Sequence, residues 1–298
     1  MNMLATVGAD IPLDLLNATR RFAGPLGWNV DRPTPRADAW LESKFAPWAR
    51  SILEDWADGR LDELAQVIFS RSDDNSQRLY YYICELRERG ALAGPEPVIF
   101  DVARLRRSSS RDHMVMQVRK LAERLDLDGS DIERGIAETN VHRSKLASAP
   151  SKVRDGRVCL LAGTAPPDRR LHHIIEAAGW IASGPTLGDI WRDPGDAVVE
   201  RTGRPIEAIA DQLYATQGGP RGFYDSASRI AQHAADAGSN AAILWYTEEE
   251  EALVWHLPAQ RRALEQAGIP SLILTRRDWA ARDGVDIEIE NFLKELNG

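Results

Sequence analysis

The stretch that decides the fold is Leu64–Leu86, which reads "LAQVIFSRSDDNSQRLYYYICEL". An apolar run of strand length, "LAQVIF", leads through a polar turn into apolar residues at helical spacing. A strand followed by a short turn and a helix is the building unit of a parallel α/β sheet. In such sheets, ligands bind next to the turns that follow the strands. The turn after Ser70 is therefore the first place to look for function.

The same alternation of strand and helix patterns runs through both halves of the 298-residue chain. Strand-length runs in the first half are "LATVGA", "GWNVD", "AQVIFS" and "PVIFDV", and those in the second half are "RVCLLAG", "WIASG", "AAILWY" and "PSLILT". Residues 110–149 carry only helical spacing, and "APSKVRDG" at 149–156 has the Pro, Gly and charge typical of a boundary.

This alternation predicts an α/β protein with two Rossmann-like or flavodoxin-like domains, each built on a parallel sheet of about four strands. The predicted boundaries are 1–106 for the N-terminal domain, 107–150 for a helical connector and 151–298 for the C-terminal domain. We expect the two domains to face each other across a crevice.

Composition limits the class of partner and the compartment. The formal charge of -8, with no Lys/Arg cluster beyond "RLRRSSSR", argues against nucleic acid as a partner. No apolar run approaches the length of a membrane span, and the N-terminus lacks the features of a signal peptide, so we expect a cytoplasmic protein without membrane contact. The two cysteines, Cys84 and Cys159, read as core residues and are too few to hold an iron–sulfur cluster by themselves.

Polar side chains crowd the ends of two predicted strands. Ser72, Asp73, Asp74, Asn75 and Ser76 follow "AQVIFS", and helix capping accounts for one or two of them but not for all five. Thr247 and the four glutamates Glu248–Glu251 follow "AAILWY". Carboxylates in the first turn of a helix are stabilised by the helix dipole, so a solvated helix start is the alternative to a crevice site.

The order of blocks along the chain resembles the 2-hydroxyacyl-CoA dehydratase and benzoyl-CoA reductase superfamily, with subunits of the 2-hydroxyglutaryl-CoA dehydratase D-component type. The blocks are "VGADIPLDLLNATRRFAG", "FAPWARSILEDWADGRLDELAQVIFS", "IAETNVHRSKLASA" with Asn140 and Arg143, "LEQAGIPSLILTRRD" and "IEIENFLKEL". The resemblance implies two α/β domains, a helical region and dimers of related subunits. It also implies an anaerobic-type lyase or reductase chemistry, in which an iron–sulfur cluster between the domains reduces an acyl-CoA thioester to a ketyl radical.

The chain departs from this superfamily at the three cysteines that hold the cluster. Ala46, Asp73 (or its neighbour Ser72) and Thr247 (or a residue up to Glu250) stand at those positions. Pro47, Arg50, Ser51, Arg78 and Leu79 keep the surrounding pattern. The resemblance therefore implies a chain with no metal or cofactor of its own, and a [4Fe–4S] cluster only on a partner subunit.

Three functions follow as hypotheses. The first is a cluster-free subunit that forms a heterodimer with a cluster-bearing paralogue and helps to bind an acyl-CoA. The second is a repurposed non-redox enzyme or small-molecule binder, acting as a homodimer, that uses carboxylates in the vacated cluster site for acid/base work. The third is an assembly protein without ligand.

The same reasoning names candidate site residues. Asp73 and Glu248 are the candidates for catalysis, and the candidates for substrate binding are Arg50, Ser72, Asp74, Arg78 and Thr247. The two arginines have a structural alternative, because an arginine paired with Asp or Glu can also fasten turns together.

Overall fold

The computed structural model describes residues 3–103, 105, 107–148, 156–215 and 225–297. These residues form two compact units, the first from 3–45, 49–148 and 191–215, and the second from 46–48, 156–190 and 225–297. Each unit contains a four-stranded, all-parallel sheet. The predicted α/β class with two parallel sheets is therefore confirmed. Residues 149–155 of the predicted boundary segment lie outside the described residues.

The elements alternate along the chain as the sequence predicts. Up to residue 148 they are β1 (Met3–Val7), α1 (Leu13–Ala18), β2 (Phe22–Pro25), α2 (Pro35–Trp40), α3 (Pro47–Ala57), β3 (Leu64–Ser70), α4 (Asp74–Glu88), β4 (Glu96–Phe100), α5 (Ser108–Arg124) and α6 (Gly129–Ala147). From residue 156 onward they are β5 (Val158–Gly163), α7 (Arg170–Ala177), β6 (Ile181–Ser183), α8 (Leu187–Arg192), α9 (Pro205–Ala215), α10 (Ser226–Asp236), β7 (Ala241–Thr247), α11 (Leu257–Gln266), β8 (Ser271–Arg277) and α12 (Val285–Glu295).

Both sheets have the strand order of flavodoxin-like folds. The first runs β2-β1-β3-β4 and the second runs β6-β5-β7-β8. In each sheet the chain first moves outward from the initial strand and then crosses to its other side. The direction of the connections therefore reverses between β1 and β3, and again between β5 and β7. Open parallel sheets bind ligands outside the carboxyl ends of the strands at such a switch point.

Helix α6 is fastened to α1 by a close backbone approach and a buried ion pair. A Cβ on Gly135 would lie 2.2 Å from the carbonyl oxygen of Asp14, so only glycine allows the two helices to come this close. Arg143 donates to both carboxylate oxygens of Asp14 at 2.7 and 2.9 Å, and also to the carbonyl of Pro194 at 2.8 Å. Burial raises the pKa of Asp14, and the hydrogen bond and charge of Arg143 oppose that rise.

Asn140 lies in the same sequence block as Arg143, "IAETNVHRSKLASA". Its side-chain amide donates to the carbonyl of Val198 and accepts from the N–H of Val198.

The segment 191–215 departs from the predicted domain boundary, which assigned everything after residue 150 to the C-terminal domain. Ile209, Ala210 and Leu213 on α9 join the core of the first unit. Helices α5 and α6 belong to that core as well, through Val118 and Ile136 among others, so they are not a separate connector. Helical periodicity shows that a helix has an apolar face, but it does not show which sheet that face covers.

Two predicted elements of the first unit are also wrong. The second strand is Phe22–Pro25, whereas the predicted "GWNVD" forms a turn in which Asn29 accepts from the N–H of Asp31 at 2.9 Å. The helical spacing of residues 38–59 predicts one helix, but the structure has two, α2 and α3, separated at residues 41–46. An edge strand of four residues that contains Gly24 and Pro25 has little strand propensity, so its pairing with β1 decides its place.

Candidate functional site

The turn after β3 is held by a set of buried serine hydroxyls. Ser70 accepts from the N–H of Ser72 at 3.0 Å, and Ser72 donates its hydroxyl to the carbonyl of Ala9 at 3.3 Å. Ser76, in the first turn of α4, donates to the carbonyl of Val7 at 3.1 Å. These bonds join the turns after β1 and β3, the two strands at the switch point. The polar residues that cluster after β3 in the sequence thus serve largely to hold these two turns together by hydrogen bonds.

Asp73 is the N-cap of α4. Its carboxylate accepts from the N–H of Ser76 at 2.7 Å, and Asp74 follows in the first turn of the helix. A carboxylate at this position satisfies one free N–H of the helix start and interacts favourably with the helix dipole. The structure therefore gives the first catalytic candidate a capping role. The substrate-binding candidate Ser72 is 2% exposed and fastens the turn.

Arg50 and Arg78 are brought together around Glu42. Arg50 bonds Asp38 at 2.8 Å and the carbonyl of Phe45 at 3.3 Å, while Arg78 bonds the Glu42 carboxylate at 2.9 Å. The guanidinium of Arg78 also lies 4.4 Å from the centre of the Phe45 ring, a cation–π distance. These contacts tie residues 38–45 to α3 and α4. Both arginines thus show the fastening role that the sequence left open as the alternative.

The corresponding end of the second sheet has a different polar structure. The N–H of Thr164, after β5, bonds the carbonyl of Trp245 at 2.8 Å, and Thr164 accepts from the N–H of Thr247 at 3.3 Å. Thr247 is 2% exposed, yet its hydroxyl has no hydrogen-bond partner among the described residues. A buried polar group without a partner costs free energy, and at a switch point such a group is a candidate ligand contact.

The four glutamates after β7 do not share one environment. Glu248, the second catalytic candidate, is exposed and pairs with the exposed Arg276 at 3.1 Å. Glu249 instead accepts from the indole N–H of Trp279 at 2.8 Å, and its partial burial raises the pKa of its carboxyl. Trp279 packs edge-on against Trp245, with ring centroids 6.0 Å apart.

Glu249 is therefore the carboxyl that the sequence reasoning missed. A signal for it was present in "RRDWAARD", because Trp279 follows β8, the strand next to β7. The carboxyl ends of adjacent parallel strands lie at the same edge of a sheet, so this tryptophan was placed to cover one of the glutamates.

The residues of this chain do not fit an iron–sulfur cluster. Ala46 is fully buried before α3, Asp73 caps α4 and Thr247 ends β7, so none of the three positions offers a thiolate. Cys159 lies inside β5, where burial raises the pKa of its thiol to about 12, and Cys84 lies on α4. Within the described residues, no group of three or more His, Cys, Asp or Glu side chains could hold a metal ion.

Comparison with known proteins adds no assignment. No protein-family model matches the chain, and no curated protein matches it significantly. None of the helices in the described part of the chain is long and apolar enough to cross a membrane. The resemblance to the 2-hydroxyacyl-CoA dehydratase and benzoyl-CoA reductase superfamily thus stays a prediction from the sequence.

Proposed function

We propose that this chain is a cluster-free subunit of a 2-hydroxyacyl-CoA dehydratase-like or benzoyl-CoA reductase-like enzyme. In this proposal it pairs with a related subunit that carries the iron–sulfur cluster, and it helps to bind an acyl-CoA. The observation that supports it is the state of the three positions where the resemblance expects cysteines. A buried alanine, a helix cap and a strand-end threonine occupy them, and each of these residues is built into its own unit.

Asn140 and Arg143, which belong to the blocks that carry the resemblance, support a common architecture more than a common reaction. Arg143 is 7% exposed, and its guanidinium donates hydrogen bonds to Asp14, Pro194 and Asn140. A side chain bonded in this way holds helices together and has little capacity left for a substrate. Retention of the fold with loss of the ligands is what a subunit needs when the electron-transferring group lies on its partner.

The test is to isolate the tagged chain without oxygen, once alone from a heterologous host and once from its native host. The chain alone should be colourless and free of iron. The native preparation should contain a related chain with cluster cysteines, together with iron, sulfide and a broad visible absorption band. Stoichiometric iron and sulfide in the chain alone would contradict the proposal, as would a native preparation without a related chain.

A second candidate function is favoured by the end of the second sheet. Thr247 presents a buried hydroxyl without a partner in the described residues, and Glu249 on the following turn has a raised pKa. A hydroxyl and a carboxyl that is readily protonated suit a small ligand with hydrogen-bond acceptors, without redox chemistry.

This candidate is tested on the isolated chain. Mass spectrometry identifies the small molecules that remain bound to it after native purification. A bound molecule should be found with the wild-type chain and with the exposed-site control Glu248→Gln, and it should be lost with Thr247→Val. Absence of any bound molecule from the wild-type chain would contradict this candidate.

A further inference from the structure

The carboxyl end of β7 holds a second buried donor close to Thr247. The indole N–H of Trp245 has no hydrogen-bond partner among the described residues, although this side chain is fully buried. Thr247, two positions further along the strand, is 2% exposed, and its hydroxyl also lacks a partner there. A buried donor without an acceptor costs free energy. Two such donors at a switch point are what a site for a ligand with an acceptor group requires.

Both donors face the same side of the second sheet. Successive side chains of a strand point to opposite faces, and Leu244 and Tyr246 join the core that β7 forms with α10 and α11. Trp245 and Thr247 therefore face the other side. Their Cα atoms are about 6.6 Å apart along the strand. One oxygen with hydrogen bonds of about 2.9 Å can therefore lie within reach of both donors.

The acceptors near these donors are already bonded within the second unit. The carbonyl oxygen of Trp245 accepts from the N–H of Thr164 at 2.8 Å, and the hydroxyl of Thr164 accepts from the N–H of Thr247 at 3.3 Å. The carboxylate of Glu249 accepts from the indole N–H of Trp279 at 2.8 Å. These bonds leave the two buried donors to an acceptor from another molecule.

A short turn after β8 covers the donors and offers a route of entry. Trp279 in this turn is 5% exposed and packs edge-on against Trp245. The carbonyl of the next residue, Ala280, accepts from Arg170 at the start of α7 at 2.7 Å. Ala281 has a φ of 54°, a left-handed conformation that costs about 1 kcal/mol for a residue other than glycine. The turn therefore shields the donors from solvent, and its backbone strain favours opening when a ligand enters.

The charges around this strand end disfavour an anionic ligand. Glu249 lies on the turn that follows Thr247, and burial raises the pKa of its carboxyl, as do the charges of Glu248 and Asp278. The guanidinium of Arg276 is paired with Glu248 at 3.1 Å. A further negative charge would be repelled by these carboxylates, so a neutral acceptor is favoured. A carbonyl oxygen is neutral and has two lone pairs, so it can accept from two donors at once.

We propose that the buried end of β7 binds a neutral small molecule through a carbonyl or amide oxygen, which accepts from the indole N–H of Trp245 and the hydroxyl of Thr247. The inference rests on the second candidate function, the small-ligand site at Thr247. It adds Trp245 as the second donor of that site and names the chemical class of its ligand.

The first test titrates the ¹⁵N-labelled full chain with acetamide and follows the indole N–H signals by NMR. The signal of Trp245, assigned by its loss in Trp245→Phe, should shift and saturate because its N–H gains an acceptor. The matched control is Trp180, whose indole N–H is also buried without a partner in the described chain but lies at the amino end of β6. Its signal should not move. An unmoved Trp245 signal, or equal shifts of both signals, would overturn the proposal.

The second test varies the hydroxyl and the charge of the probe. Thr247→Val should weaken acetamide binding about fivefold, the loss of one hydrogen bond. This variant keeps the indole and nearly the volume of the wild-type side chain, so it tests the proposal even where Trp245→Phe does not fold. Acetate has nearly the same shape but a negative charge, and it should bind at least about tenfold more weakly than acetamide at about pH 7. Unchanged acetamide affinity in Thr247→Val, or acetate binding as tight as that of acetamide, would contradict the proposal.

Failure of this inference is distinguishable from failure of the second candidate function. If mass spectrometry of the natively purified chain identifies a bound molecule without a carbonyl or amide oxygen, the small-ligand site stands and the ligand class named here is wrong.

Discussion

The two switch points share a backbone plan but differ in how their polar groups are satisfied. Each has a glycine with positive φ at the end of its first strand, Gly8 at 96° and Gly163 at 101°, and each ends the neighbouring strand in a hydroxyl residue. In the first unit the hydroxyl of Ser70 is bonded, as are those of Ser72 and Ser76 in the adjoining turn and helix. In the second unit the hydroxyl of Thr247 has no partner in the described chain. The three serine hydroxyls therefore fasten the first end, whereas the unbonded hydroxyl of Thr247 costs free energy at the second.

The largest effect is expected where the first unit is fastened near its switch point. Arg143→Met should lower the free energy of unfolding by about 3–5 kcal/mol, because it leaves the carboxylate of Asp14 buried without its cation. Urea denaturation followed by circular dichroism measures the loss. In the double variant Asp14→Leu with Arg143→Met, much of the stability should return, since apolar pairs often replace buried ion pairs at little cost. A loss below about 1 kcal/mol in the single variant would show that the pair is not buried in solution.

Alanine substitutions of the glycines at the two switch points should lower the free energy of unfolding by different amounts. The loss should depend on which atoms the new methyl group contacts. Gly163→Ala places a Cβ 2.3 Å from the backbone oxygen of Trp245, so we expect a loss of about 3 kcal/mol or more. Gly8→Ala places a Cβ 2.8 Å from the Cβ of Ser70, a less severe overlap, and should cost about 2 kcal/mol. Gly179→Ala is the control, because its φ is also positive but no atom lies within 4 Å, and it should cost about 1 kcal/mol. Thermal unfolding of the three variants tests this ranking, and equal losses would contradict it.

Removal of one hydroxyl at each switch point tests the comparison most directly. Ser76→Ala should destabilise the protein by about 1 kcal/mol, because it breaks the bond to the carbonyl of Val7. Thr247→Val should leave stability unchanged or raise it slightly, since it removes a buried hydroxyl that has no partner in the described residues. The measurement is again the free energy of unfolding, on ligand-free protein. A clear loss with Thr247→Val would mean that its hydroxyl is bonded in solution.

The smallest effect concerns the pH dependence of Glu249. Because burial raises its pKa above 4.5 in the folded state, its favourable contribution is complete below that pH and is lost as the pH rises through the folded pKa. Glu249→Gln, which can still accept from Trp279, should therefore be more stable than the wild type at about pH 7, by less than about 1 kcal/mol given the partial exposure. The difference should vanish near about pH 4.

The control for this prediction is Glu248→Gln, at an exposed position that pairs only with another exposed side chain in the described structure. It should change stability little at either pH. If both variants respond alike to pH, the environment of Glu249 is not distinct from that of its neighbour.

The central strands could be predicted from the sequence because a strand buried on both faces consists of an uninterrupted run of apolar residues. All seven residues of β7 are buried, as the apolar run "AAILWY" indicates for a strand covered on both faces. The edge strand β2 carries no such signal, and its position depends on pairing with β1. The partners of α9, which packs against α5 and α6, are likewise a property of the folded chain, since an apolar helix face fits any apolar surface of matching shape.

The candidate site was predictable to the level of the strand end and no further. The sequence placed the candidate side chains after β3 and β7, and that placement follows from the general geometry of parallel sheets. It could not distinguish Glu248 from Glu249, because the difference depends on Trp279, thirty positions away along the chain. Nor could it separate a helix cap from a catalytic carboxylate at Asp73, since the same residue types serve both roles.

The return of residues 191–215 to the first unit has a consequence for biosynthesis. The apolar residues of α9 complete a core whose other members, such as Met114 and Ile136, are synthesised much earlier. By the time α9 leaves the ribosome, β5 and β6 of the second unit have already emerged. The N-terminal unit therefore cannot finish folding before the C-terminal one begins, and a nascent chain or a fragment that stops near residue 150 exposes apolar surface that chaperones bind.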